Sequence, residues 1–271
     1  MTTTRRFSRP LLYVVLAGIT VVMLYPFYYM ITTSLHSSDQ YQLGSDSYSL
    51  ASWHNLFDAL PVWRQLLNST IVSLGGIAII LLVSTTGGYA FAILRYRAAT
   101  VAFLVVVGAM MVPLQSIIAP EFINIVNYWR INHLDSAIIV YAALGAPFST
   151  FLMTTYLRRI PMDVMEAAMI DGLGWGRAYL RVILPLARPA MATIAVLQFI
   201  QIWDDLLVGL LFLQDPNVRP ITVGLATIPG QHGLDVPLLM AGSLVSALPA
   251  VLVYLVFQRY LITGLTMGMG K

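Results

Sequence analysis

Six stretches of twenty or more mostly apolar residues dominate the sequence and limit what this chain can fold into. The hydrocarbon core of a bilayer is about 30 Å thick, so a helix needs about 20 such residues to cross it. The stretches cover residues 11–30, 66–94, 100–119, 137–157, 190–213 and 238–260. They predict an all-α, polytopic membrane protein with six transmembrane helices.

The composition excludes most soluble classes of protein. Apolar side chains make up 58% of the sequence and charged ones only 10%, against about 25% charged residues in an ordinary soluble domain. A soluble enzyme, a disordered protein and a nucleic-acid-binding protein are therefore excluded. The chain has no cysteine, so it has neither a disulfide framework nor a thiolate metal site. Its four histidines fall in external segments without metal-ligand spacing, and we predict no metal site.

The distribution of basic residues predicts the orientation of the chain in the membrane. Twelve of the fifteen Lys and Arg residues fall on one side of the predicted spans, and Arg64, Arg130 and Arg219 fall on the other. Cytoplasmic loops carry the excess of Lys and Arg in membrane proteins. We therefore predict a multi-pass protein of the cytoplasmic membrane with both termini in the cytoplasm.

The predicted cytoplasmic connection between the fourth and fifth spans, residues 158–189, is too long for a simple turn. Pro161 suits the first turn of a helix, and Glu166 places negative charge near the positive end of that helix. Gly172 and Gly174 end the helix before a second short piece that carries an apolar stripe. The pattern predicts a helix–glycine–helix element. It is either a basic loop folded against the membrane or a docking element for a cytoplasmic partner.

The residues of this connection resemble a known motif. The run Glu-Ala-Ala-Met-Ile-Asp-Gly at 166–172, followed by Ile-Leu-Pro at 183–185, is similar to the EAA loop of permease subunits of ABC importers. In that family the loop forms a coupling helix that inserts into a cleft on the ATPase subunit. The resemblance implies an ATPase-coupling role for Glu166, Ala167, Ala168, Asp171 and Gly172. The chain departs mildly from close relatives by carrying Leu173 and Tyr179 in place of alanine and phenylalanine.

The resemblance extends along most of the chain. Asn68-Ser69, the run Trp-Asp-Asp-Leu at 203–206 and Gly-Leu-Thr at 264–266 are similar to stretches in carbohydrate importers, especially the second permease of maltose-type systems. The resemblance implies the type I ABC-importer permease fold. It divides the chain into 1–66 (cytoplasmic tail, first helix and external loop), 67–260 (permease core, with the coupling loop 158–189) and 261–271 (cytoplasmic tail). The last five residues depart from the usual tail.

The resemblance also implies a function and a set of partners. The chain would be the permease subunit of an ATP-driven importer of a di- or oligosaccharide or related sugar derivative. It contains no G-x-x-x-x-G-K-[ST] phosphate loop, so we expect no enzyme activity and no cofactor here, with ATP and Mg bound by a separate ATPase. The expected partners are a second homologous permease, two ATP-binding subunits, an extracytoplasmic solute-binding protein and the lipid bilayer, but no nucleic acid.

Polar side chains in the fifth span are candidates for the solute pathway. Charged residues inside a membrane are costly and usually functional. On a continuous helix Gln198, Gln201 and Asp205 share one face, with Trp203 and Asp204 beside it. This face either binds sugar hydroxyls or bonds to a neighbouring helix or subunit. The alternative function is an ion-gradient-driven secondary transporter that uses Asp204 or Asp205 as its ion site.

Overall fold

The structure is a computed structural model that describes residues 4–44, 47–93, 97–228 and 235–268. Every regular element in these ranges is helical. In chain order the elements are α1 (Thr4–Ser34), α2 (Ser38–Gln42), α3 (Ala51–Ala59), α4 (Val62–Ile93), α5 (Arg97–Ala109), α6 (Leu114–Tyr128), α7 (Leu134–Leu157), α8 (Met162–Ile170), α9 (Trp175–Ala178), a π-helical turn (Tyr179–Ile183), α10 (Leu184–Leu186), α11 (Arg188–Asp204), α12 (Leu207–Phe212), α13 (Ile221–Ala226) and α14 (Val236–Gly268).

Four straight helices are long and apolar enough to cross a membrane. They are Leu11–Ser34, Val62–Ile93, Leu134–Leu157 and Val236–Tyr260. Two further spans are bent pairs of helices. One joins α5 to α6 at 97°, and the other joins Trp175–Leu186 to α11 at 70°. With each pair taken as one span, the described residues give the six spans and the all-helical architecture that the sequence predicts.

Two of the six spans are not continuous helices, although each corresponds to one uninterrupted apolar stretch of the sequence. The third span breaks between α5 and α6, where Pro113 adopts an extended conformation with ψ of 136°. Proline lacks an N–H group and disfavours helical geometry in the residue before it. The fifth span ends at Asp204, because Asp205 is extended with ψ of 133°. The Asp205 carboxylate accepts the Val208 N–H at 2.9 Å and so starts a new helix.

Residue contacts divide the chain into two compact units, and the first combines Met1–Val62 with Leu225–Leu248. An 18-residue apolar stretch within α1 has no residue that the rest of the chain buries, as expected of a helix surrounded by lipid. The rest of the unit packs around Leu56, which is fully buried. Asp235 caps the start of α14 by accepting the Leu238 N–H at 3.1 Å, and it accepts a 2.6 Å bond from the Ser38 hydroxyl.

The second unit combines Trp63–Gly224 with Pro249–Lys271, and small residues let its helices approach closely. A Cβ atom added at Gly145 of α7 would lie 2.5 Å from the Cδ1 of Ile80 and 2.6 Å from the Oε1 of Gln198. One added at Gly88 of α4 would lie 2.6 Å from the Cγ of Met153. Small residues at membrane-helix interfaces allow this kind of backbone approach. Gly145 therefore lies where α4, α7 and α11 meet.

Replacing Gly145 by valine is expected to destabilise the second unit. The added methyl groups have no room, and overpacking of a filled interior costs about 1–3 kcal/mol. Gly18 of α1 is the matched control, since nothing lies within 4 Å of a Cβ atom added there. Thermal unfolding of the purified protein in detergent measures both variants. Equal midpoints for Gly145→Val and Gly18→Val would contradict the close packing described above.

Candidate functional site

The predicted coupling element has a buried side and an exposed side. Met165 and Ala168 of α8 are 2% and 5% exposed, so this side packs against the chain. Glu166 and Ala167 are exposed, and the side chain of Ile170 is 86% exposed. Four of the five predicted coupling residues are thus on the surface, while Ala168 faces inward and permits close packing beneath them.

A glycine turn fixes the end of α8. Gly172 has a φ of +80°, a left-handed conformation that favours glycine. Its N–H donates to the carbonyl oxygen of Met169 at 3.0 Å, and the N–H of Leu173 donates to that of Ala168 at 3.0 Å. This pair of bonds is the Schellman motif, which satisfies the last carbonyl groups of a helix. The exposed carboxylate of Asp171 is held at this turn.

Two tyrosines attach the coupling element to α4. The hydroxyl of Tyr179 donates to the Thr85 hydroxyl at 2.8 Å, and the hydroxyl of Tyr89 donates to the Trp175 carbonyl oxygen at 3.1 Å. The two tyrosine rings also pack with their centroids 5.2 Å apart. Sequence reasoning missed this attachment. The only signal for it was the tyrosine at 179 where relatives often carry phenylalanine.

The coupling element exposes apolar side chains as well as carboxylates. Trp175 is 52% exposed and Leu180 is 60% exposed. Ile170, Glu166 and Asp171 of the same element are also exposed. Exposed apolar clusters rimmed by polar groups are typical of protein interaction sites. Both alternatives for this element, a docking role and a loop folded against the membrane, are consistent with such exposed apolar side chains.

Two of the predicted pathway residues lie inside the chain. Gln198 is 1% exposed, and its Nε2 atom donates to the Ser149 hydroxyl at 3.2 Å. Trp203 is 2% exposed, and its ring stacks on that of Phe199 with centroids 5.2 Å apart. Both side chains therefore pack within the helix bundle, and Gln198 bonds α11 to α7.

Asp205 is half-buried, and its carboxylate and backbone are held by contacts within the chain. The regular helix ends at Asp204, and the chain turns away after Asp205. Its carboxylate accepts the hydroxyl of Tyr141 at 2.8 Å as well as the Val208 N–H. Its backbone carbonyl accepts the hydroxyl of Thr222 at 3.2 Å. Asp205 thus joins α11, α12 and α7.

Gln201 and Asp204 are exposed on the same helix, and Gln201 lines a cavity of about 480 Å³. The other lining residues are Ala109, Met110, Val112, Leu114, Ile117, Ile118, Glu121, Val140, Ala143, Leu144 and Pro147. The cavity exists because the 97° bend turns α6 towards α7 and α11. Sequence reasoning did not bring Glu121 to Gln201, since that juxtaposition depends on the bend.

Asn68 and Ser69, at the start of the predicted core, bond to the segment between α12 and α13. The Nδ2 atom of Asn68 donates to the carbonyl oxygens of Asn217 and Arg219 at 3.1 and 3.0 Å. The Ser69 hydroxyl accepts the N–H of Ile221 at 3.0 Å. These side chains therefore fix the segment that leads from α12 to α13.

Comparison with known proteins identifies the family. The family described as "Binding-protein-dependent transport system inner membrane component" matches residues 85–265. The diacetylchitobiose uptake system permease protein of Streptomyces coelicolor is 27% identical over 92% of this chain and 84% of its own. The trehalose/maltose transport system permease protein of Thermococcus litoralis is 30% identical over 92% of this chain and 91% of its own.

A solved structure shows the same fold. A chain from a bacterial ABC transporter involved in the import of the acidic polysaccharide alginate superposes with a TM-score of 0.82 and 21% identity, and the match covers 96% of this chain and 98% of that one. The predicted type I ABC-importer permease fold is confirmed.

The matches also decide between the predicted functions. A component of a binding-protein-dependent system is not a self-sufficient carrier, so the alternative of a secondary transporter with an ion site at Asp204 or Asp205 is wrong. The prediction of a multi-pass permease, a transport component, is confirmed. The family matches well over half of the sequence, and the chain therefore belongs to the inner membrane components of binding-protein-dependent transport systems.

Proposed function

We propose that this chain is the permease subunit of an ATP-driven importer that moves a di- or oligosaccharide, or a related sugar derivative, across the cytoplasmic membrane. Family membership supports the permease role. The names of the relatives, which include diacetylchitobiose and trehalose/maltose systems, support a carbohydrate as substrate. The exposed coupling surface around Glu166 and Asp171 is the observation that carries the proposed link to an ATPase.

The chain has no ATPase site of its own in this proposal, and the nucleotide-binding subunits are separate chains that hold ATP and Mg. The complete transporter contains two such subunits, a second homologous permease and an extracytoplasmic solute-binding protein. An ATPase contacts Glu166, Ala167, Asp171 and Gly172, and the buried Ala168 packs beneath these residues. Because Tyr179 and Tyr89 bond this element to α4, a displacement of the element is passed directly to a membrane span.

We further propose that both termini lie in the cytoplasm and that the functional division is 1–66, 67–260 and 261–271. The twelve-to-three bias of basic residues supports the orientation. Helix α14 continues to Gly268, so much of the proposed tail is helical. We also propose that residues 266–271 of this tail contact the ATPase, as the resemblance to maltose-type permeases suggests; residues 269–271 lie outside the described residues.

In this proposal the solute passes beside Gln201 and Asp204, the exposed members of the predicted pathway. Gln198, Trp203 and Asp205 hold the walls of that pathway through their internal contacts. An amide and a carboxylate both form hydrogen bonds with sugar hydroxyls, and the exposed positions of Gln201 and Asp204 leave them accessible to a solute.

Uptake by the reconstituted complex tests the proposed function. Vesicles that contain both permeases and the ATPase, supplied with the binding protein, are expected to accumulate a radiolabelled oligosaccharide chosen by thermal-shift screening of that binding protein. Uptake should stop when ATP is removed and should persist when the proton gradient is collapsed. Accumulation that follows the proton gradient, or a binding protein that no sugar stabilises, would contradict the proposal.

A further inference from the structure

We propose that the cavity lined by Glu121 and Gln201 is a sugar-ring site on this chain that accepts uncharged sugars and rejects sugars carrying a carboxylate, sulfonate or phosphate. This inference rests on the proposed function, since it assigns the substrate class and a binding site to the solute pathway. The volume of about 480 Å³ lies within the range of roughly 300–1,000 Å³ that small-ligand sites occupy.

The cavity lies partway along a membrane span. Its wall on α7 runs from Val140 to Pro147, and α7 begins at Leu134. These residues are six and thirteen positions into the helix, or about 9 and 20 Å at a rise of 1.5 Å per residue. A solute in the cavity has therefore left one end of the span and reached about its middle, as an intermediate site of transport requires.

The lining combines the two surfaces that a sugar ring needs. Ten of its twelve residues carry apolar side chains, which suit the C–H faces of a pyranose. The amide of Gln201 and the carboxylate of Glu121 are the polar side chains in the lining, and within the described part of the chain neither has a hydrogen-bonding partner. Both are therefore available to ring hydroxyls, with the amide able to donate and accept and the carboxylate able to accept.

The charge of the lining determines which sugars fit. Glu121 is the only ionisable residue among the described lining residues, which include no Lys, Arg or His. In a site partly shielded from water, two like charges repel far more strongly than they do in solution. An anionic group on the sugar therefore meets an uncompensated carboxylate, whereas an uncharged hydroxyl donates a charge-assisted hydrogen bond to it.

Saturation-transfer NMR on the assembled transporter, in nanodiscs and without the binding protein, tests this site. The probes are cellotriose, maltotriose and raffinose as uncharged trisaccharides, with trigalacturonate as the anionic one. We expect signal from at least one uncharged probe and at least tenfold weaker signal from trigalacturonate. Glu121→Gln should reduce that difference to less than threefold, and Ala143→Trp, which fills the cavity, should abolish the signal from the uncharged probe.

Matched variants separate the site from general effects. Asp58→Asn removes an exposed carboxylate of α3, and Ile139→Trp adds the same bulk to an exposed position of α7 outside the cavity. Both should bind like wild type. The site is ruled out if Glu121→Gln leaves the ratio of the uncharged-probe signal to the trigalacturonate signal unchanged. It is also ruled out if Ala143→Trp leaves the signal from the uncharged probe unchanged. Either result can occur while ATP-driven sugar uptake persists, so it does not contradict the proposed function. Loss of the second permease from the complex in Ala143→Trp also overturns the site, because the cavity is then a subunit interface.

Discussion

Gly172→Pro is expected to abolish coupled uptake while the protein still inserts into the membrane. Proline fixes φ near −65°, whereas Gly172 has a φ of +80°. The substitution also removes the N–H that donates to Met169. The turn after α8 cannot form, so Glu166 and Asp171 lose their fixed positions on the docking surface. We expect uptake to fall at least tenfold and ATP hydrolysis to lose its stimulation by the loaded binding protein.

The matched control is Gly176→Ala in the same element. A Cβ atom added at Gly176 has nothing within 4 Å, and its φ lies outside the left-handed region, so coupling should remain close to wild type. Glu166→Lys tests the same surface without a change of backbone, because it reverses the charge of an exposed side chain. It should also uncouple hydrolysis from uptake. Normal coupled uptake in both Gly172→Pro and Glu166→Lys would rule out docking through this element.

The parts of the fold that local rules govern were predictable from the sequence. Span length follows from bilayer thickness, and the turn at Gly172 follows from the glycine preference of helix ends. Each of these features depends on residues within about ten positions of one another, so no knowledge of the tertiary structure is needed.

The size and exact place of the breaks in the third and fifth spans were not predictable in the same way. Average hydropathy is high on both sides of Pro113 and of Asp205, so a window of about 20 residues does not register either interruption. The role of Asp205 depends on Tyr141, which lies 64 residues away along the chain. The cavity depends on the 97° bend, which brings Glu121 to Gln201. Non-local contacts of this kind decide which polar residues of a span are structural and which are exposed.

The adjacent carboxylates of Asp204 and Asp205 are therefore expected to respond in opposite ways to removal. Asp205→Ala deletes the acceptor for the Tyr141 hydroxyl and for the Val208 N–H. A hydrogen bond to a charged group contributes about 1.5–3 kcal/mol, and loss of a helix cap costs about 0.5–2 kcal/mol. The free energy of unfolding should fall by roughly 2–4 kcal/mol, measured as a lower thermal midpoint in detergent. Asp204→Ala should leave the thermal midpoint unchanged and should instead reduce solute uptake.

A double-mutant cycle shows whether the Tyr141–Asp205 bond carries this effect. Tyr141→Phe keeps the ring and removes the hydroxyl, so it should destabilise the protein less than Asp205→Ala does. Because the two side chains share one hydrogen bond, the double variant should lose less stability than the sum of the single variants. Additive losses would mean that the bond contributes nothing. A stable Asp205→Ala variant that fails in uptake would instead place Asp205 in the solute pathway together with Asp204.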